Sequence, residues 1–159
     1  MMRRLNIKPI NILMGTLAIL AGAAAIYAGN KIIGIDLELY YGIQTFNPYW
    51  VLTLFLVPFI GGLVVSFIYG LGGKILAYFP ALIVHGAGYL YYQMNPGMVP
   101  DGTTTLQLGY WILIVIIAVE AAAVGGIVGE VVIKKTYGRS DKRKLHKRYQ
   151  KRPAASSNT

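Results

Sequence analysis

The chain contains no cysteine. Disulfides, thiolate metal sites and a cysteine nucleophile are therefore excluded. Charge is also scarce: 13% of the 159 residues are Asp, Glu, Lys or Arg, against 55% hydrophobic. Only six residues are acidic, and they form no cluster of the kind that holds calcium. There is no Walker loop, no nucleophile elbow and no HExxH pair. Histidine occurs twice, at His85 and at His146 in the C-terminal tail. A lone imidazole lacks the further ligands that a metal or haem requires, so no cofactor is expected. Nothing here assembles the chemistry of an enzyme.

What is abundant is apolar surface, with a mean hydropathy of +0.54. A soluble domain of this size has too much surface per volume to hide it, so lipid must solvate the chain. Crossing the hydrocarbon core takes about 20 apolar residues in a helix. Four stretches qualify, at residues 10–29, 50–69, 75–93 and 110–133. The fold class expected is an all-α integral membrane protein with four transmembrane helices, followed by a basic C-terminal tail over 134–159. Pro58 and Pro80 fall inside the second and third spans, where neighbouring helices make proline kinks tolerable.

The net charge of +9 belongs mainly to the tail. Lys134, Lys135, Arg139, Lys142, Arg143, Lys144, Lys147, Arg148, Lys151 and Arg152 all lie there. With four spans, these share one side of the membrane with Arg3, Arg4, Lys8 and Lys74, leaving only Lys31 on the other. The positive-inside rule then places both termini in the cytoplasm, which suits a cytoplasmic (inner) membrane. The opening "MMRRLNIKP" before an apolar run also has the form of a secretory signal. That run is long for a signal, and its glycines and alanines suit a packed span equally well, so the first span is read as retained.

The tail, strongly basic with little apolar periodicity, is expected to be disordered or a short surface helix. Contact with anionic lipid is its most economical role, at about 1 kcal/mol per basic residue near the surface. An acidic protein partner comes second and nucleic acid third. On the other side, "IDLELYYGIQ" alternates apolar and polar positions around Asp36 and Glu38, as an interfacial strand would.

Helical spacing sorts the spans into faces. Small residues recur along the first span (Gly15, Ala18, Gly22, Gly29), the second (Gly62, Ser66, Gly70) and the fourth (Ala118, Ala122, Gly125, Gly129). Such rows let backbones approach closely, either inside one bundle or in self-association. In the third span Tyr78, His85, Tyr89 and Tyr92 lie within roughly 60° of one another, a polar-capable aromatic seam. The fourth span carries Glu130 near its cytoplasmic end, within reach of water, Lys74, Lys134 or Lys135. It also carries Glu120 near its middle, on the face opposite the small-residue row. A carboxylate at that depth costs a few kcal/mol unless it is protonated, paired or wet. His85, at a similar depth, is the natural candidate partner within the chain, and another protein chain is the alternative.

These features favour a non-enzymatic accessory or scaffold subunit of a larger membrane complex. Its contacts would be the bilayer, other subunits or a second copy against the fourth span, and anionic lipid at the tail. The alternative is a small oligomeric proton- or cation-linked transporter or channel built on Glu120 and His85.

Overall fold

The computed structural model describes residues 9–150. Its elements in chain order are α1 (Pro9–Ile33), β1 (Leu39–Tyr40), α2 (Pro48–Tyr69), α3 (Gly73–Leu76), α4 (Tyr78–Met94), β2 (Thr104–Thr105) and α5 (Leu108–Gln150). Four helices are long and apolar enough to cross a membrane: Ile12–Ile33, Pro48–Tyr69, Gly73–Met94 (α3 and α4 together) and Leu108–Thr136. Large side chains such as Leu13, Phe55, Leu82 and Ile116 stand exposed on their outer faces, as expected of a surface that lipid solvates.

Local chemistry sets the helix ends. Asn47 caps α2, its Oδ1 accepting from the Trp50 N–H at 2.7 Å, and Pro48 follows at the first helical position, where a missing N–H costs nothing. At the other end the chain leaves α2 through Gly70, at φ 83°. Gly70 is therefore a helix terminator, not a member of the packing row, and a Cβ there would meet nothing within 4 Å. Left-handed φ is cheap only for glycine. The third span is interrupted at Ala77, four residues after Gly73, whose carbonyl accepts from the Ala77 N–H at 2.9 Å. Pro80 explains the interruption: its ring would clash with the carbonyl four residues back, that of Leu76. Ala77 keeps helical dihedrals (φ −64°, ψ −19°), so the third span runs on as one helix whose hydrogen-bond ladder is interrupted there.

The tail also departs from expectation. Residues 134–150 continue α5 as helix where a disordered segment or a separate short helix was expected. Lys, Arg, Gln and Leu are good helix formers, and a span already folded removes the cost of nucleation. Arg3, Arg4, Lys8, Lys151 and Arg152 lie outside the described residues. So do the side chains of Arg139, Lys142, Arg143, Lys144, Lys147 and Arg148.

The helices pack around α2, which touches both α1 and α5, while α4 touches the same two from the other side. The central helix is thus the second, and the fourth span keeps one face outward. The small-residue rows lie inside this bundle. A Cβ on Gly22 would press within 2.9 Å of both Val65 and Pro80, and one on Gly29 would meet Val57 at 2.7 Å. At the α2–α5 seam, Gly62 lies against the Ala122 carbonyl and Gly125 against that of Phe59, so a Cβ at either would collide with backbone. Ser66 Oγ donates to the Gly126 carbonyl at 2.7 Å across the same seam. Close backbone approach is what such residues supply where lipid removes the hydrophobic drive for helix association.

Three buried clusters stack along the bundle. Ala18, Val65 and Ala77 form the one nearest the tail, and Ile26, Val57, Ala81 and Ala122 the middle one. Leu37, Trp50, Leu54 and Ala118 form the third, beneath the antiparallel ribbon that pairs Leu39 with Thr105 and Tyr40 with Thr104. Leu37 belongs to the connection between α1 and α2, so a loop contributes to the core.

Candidate functional site

That loop dips into the helices. Leu37, Glu38 and Leu39 are all at least 97% buried. The alternation seen in the sequence is real, but both of its faces are covered. Leu37 packs on Trp50, Leu54 and Ala118, while Glu38 turns the other way, to α4. There its Oε1 lies 2.8 Å from His85 Nδ1. With Glu38 ionised, its oxygen accepts from Nδ1–H. Nε2 is buried with no partner, as is the Oδ1 of Asn30. From His85 to the end of α4 at Met94 is about 14 Å of helix, so the carboxylate is carried well inside the span.

Each turn of the α4 seam makes one such bond. His85 takes Glu38, Tyr89 Oη donates to the Leu106 carbonyl at 3.2 Å, and Tyr92 Oη donates to Asp36 Oδ2 at 2.6 Å. Tyr89 also stacks on Trp111, centroids 4.3 Å apart. The seam's hydrogen bonds therefore clamp both loops at the ribbon end, while Tyr89 also stacks on α5. Tyr78 has no part in it: it opens α4 just after the interruption and is 41% exposed. Gly88 makes the arrangement possible, because a Cβ there would lie 2.9 Å from Glu38 Oε1.

The loop satisfies its own backbone, as any irregular segment at this depth must. The Glu38 carbonyl accepts from the Leu106 N–H at 3.0 Å, and the Leu39 N–H donates to the Asp36 carbonyl at 3.2 Å. The Asp36 N–H donates to Tyr41 Oη at 3.1 Å, and Lys31 Nζ approaches Asp36 Oδ1 at 3.7 Å. Burial raises the Tyr41 phenol above its ordinary pKa. The Asp36 N–H opposes this, and the nearby Asp36 and Glu38 charges add to it.

Glu120 is placed quite differently. It is exposed on the outer face of α5, its aliphatic stem bordering a groove of about 530 Å³ between α5 and α2. Every other residue lining that groove is apolar: Phe55, Leu56, Phe59, Ile116, Ile117, Ala121 and Val124. His85, expected as its partner, is committed to Glu38 inside the bundle. Glu130 sits at the far end of the seam, its Oε1 accepting from Lys134 Nζ at 3.3 Å and from the Gly72 N–H at 3.4 Å. It closes the α2–α3 turn onto α5, and of the three lysines named as its candidate partners it takes Lys134.

Among the described residues no group of three or more His, Asp and Glu side chains could hold a metal ion. No family model, curated protein or solved structure matches the chain.

The sequence pointed to His85, Tyr89, Glu120 and Glu130 and passed over Glu38, Asp36, Asn30 and Gly88. A helical glycine three residues after a buried histidine, "HGAG", is the signal that something bulky enters there.

Proposed function

We propose that this chain is a non-enzymatic subunit of a larger membrane assembly, docked through the groove that α2 and α5 form beside Glu120. The observation that carries the reading is an exposed carboxylate at mid-span beside an apolar groove of α2 and α5. Leaving it in lipid costs a few kcal/mol, and a donor from a neighbouring helix offsets that cost. Among the described residues Lys31, Lys74, Lys134 and Lys135 sit near the ends of the spans, and His85 is taken by Glu38. The fitting occupant is a transmembrane helix of a different protein, with a basic or amide side chain at mid-depth. The basic residues at and after Lys134, with Lys74, support a cytoplasmic-membrane location with both termini inside. They also support a tail resting on anionic lipid.

The test is purification in mild detergent of wild type, Glu120→Gln and Glu120→Leu. The reading expects a discrete set of partners with wild type that is lost with leucine. Retention by glutamine identifies a hydrogen bond, and loss identifies an ion pair. Partners unchanged by Glu120→Leu, or a wild type that carries none, would overturn it.

A further inference from the structure

A second recess lies at the ribbon end of the same seam. Its volume is about 780 Å³, within the roughly 300–1,000 Å³ of small-molecule sites. Its roof is the ribbon and the turn before α2, which bring Tyr40, Thr45, Phe46 and residues 104–107. Its floor is Trp50 and Leu54 of α2 with Tyr110, Leu113, Ile114 and Ile117 of α5. Polarity is graded along it. The hydroxyls of Tyr40, Thr104, Thr105 and Tyr110 and the Gln107 amide gather at the roofed end, while Leu54, Leu113, Ile114 and Ile117 line the other.

Three features specify an occupant. First, no charged residue lines the recess, so a phosphate or ammonium head would be desolvated without compensation. Secondly, the indole N–H of Trp50, a group that only donates, is buried without a partner among the described residues. A head that accepts hydrogen bonds is therefore favoured over one that must donate. Thirdly, Tyr40, Phe46, Trp50 and Tyr110 offer four rings to a flat head, and ring stacking contributes beyond simple area burial. The apolar end closes on Leu54, Leu113, Ile114 and Ile117, enough surface to hold the start of an apolar tail.

We propose that this recess binds an uncharged membrane amphiphile with a planar, hydrogen-bond-accepting head and an apolar tail, the chemistry of a quinone. The head lies against Thr104, Thr105 and Gln107 between the aromatic rings, and the tail lies on Leu113, Ile114 and Ile117. The site does not depend on a partner at Glu120.

The chain's two tryptophans make it testable. In a Trp111→Phe variant, Trp50 reports from the recess floor; in Trp50→Phe, Trp111 reports from outside its lining. Decylubiquinone is titrated into each in nanodiscs. The site predicts saturable quenching of Trp50 above the linear partition background that Trp111 records. Placing Ile114→Phe or Gln107→Leu in the Trp50 reporter should weaken the saturable phase at least about tenfold, the worth of one good hydrogen bond or the space of one ring. Either variant must keep the wild-type elution profile, and having two guards against one misfolding. Linear quenching alike in both reporters would show bulk partitioning only and overturn the proposal. Equal displacement of the quinone by monoolein would overturn the planar head, and by phosphatidylglycerol the uncharged one.

Discussion

Glu38 and Glu120 are the same side chain at comparable depth, one inside the bundle and one on its surface. Glu38 is 3% exposed, hydrogen bonded to His85 and given room by Gly88. Glu120 faces outward with no protein group committed to it. A buried carboxylate with its donor is a structural part whose removal strands the donor. A carboxylate left on an apolar surface makes no bond within its own fold, which is why its proposed contact lies outside it. Polarity in a membrane segment is thus not one signal, and the elements around the group decide its meaning.

The comparison breaks most completely if the seam holding the two residues apart is destroyed. Gly62→Leu drives a side chain into the Ala122 carbonyl, and the expected outcome is loss of the monodisperse species on size-exclusion chromatography. Next comes Glu38→Ala, which leaves His85 buried without its acceptor and should cost about 3 kcal/mol or more. A thermal melt should show this, whereas Glu120→Ala should leave the melt unchanged. Pairing Glu38→Leu with His85→Phe should recover a large part of the loss, because the cost belongs to the stranded partner. Tyr92→Phe removes one hydrogen bond to Asp36 and should cost about 1 kcal/mol. The smallest effect is in pH. The Tyr41 phenol is held protonated above its usual pKa of 10.0 in the folded chain, so the unfolded chain releases that proton first. Its contribution is full below pH 10 and is lost as pH rises past that value through the folded pKa. Tyr41→Phe should flatten the alkaline limb of a stability profile.

How much of this was legible follows from particular residues. The four spans could be placed from length and apolarity alone, since the lipid requirement is nearly independent of partners. The glycine faces were legible because helical periodicity is a local property. The interruption at Ala77 was only half visible: Pro80 was noticed, but its clash acts four residues earlier, at Leu76. The Glu38–His85 pair joins residues 47 positions apart, and helical spacing relates residues within one element, not a loop to a distant helix. Depth misled as well. Matching Glu120 to His85 by level ignored the packing that leaves one outside and one inside. The alternation around Asp36 and Glu38 was read correctly, but an interfacial strand is ordinarily wet on one side, and this one is wedged between α4 and the α2–α5 seam.

The buried loop also has a history in time. Glu38 leaves the ribosome before His85, and before Leu106, whose N–H its carbonyl needs. At roughly 5–20 residues per second, the wait for His85 is on the order of 2–10 s. During that interval the α1–α2 connection has neither its strand partner nor its acid's donor. The loop therefore cannot close its contacts until Leu106 has been made.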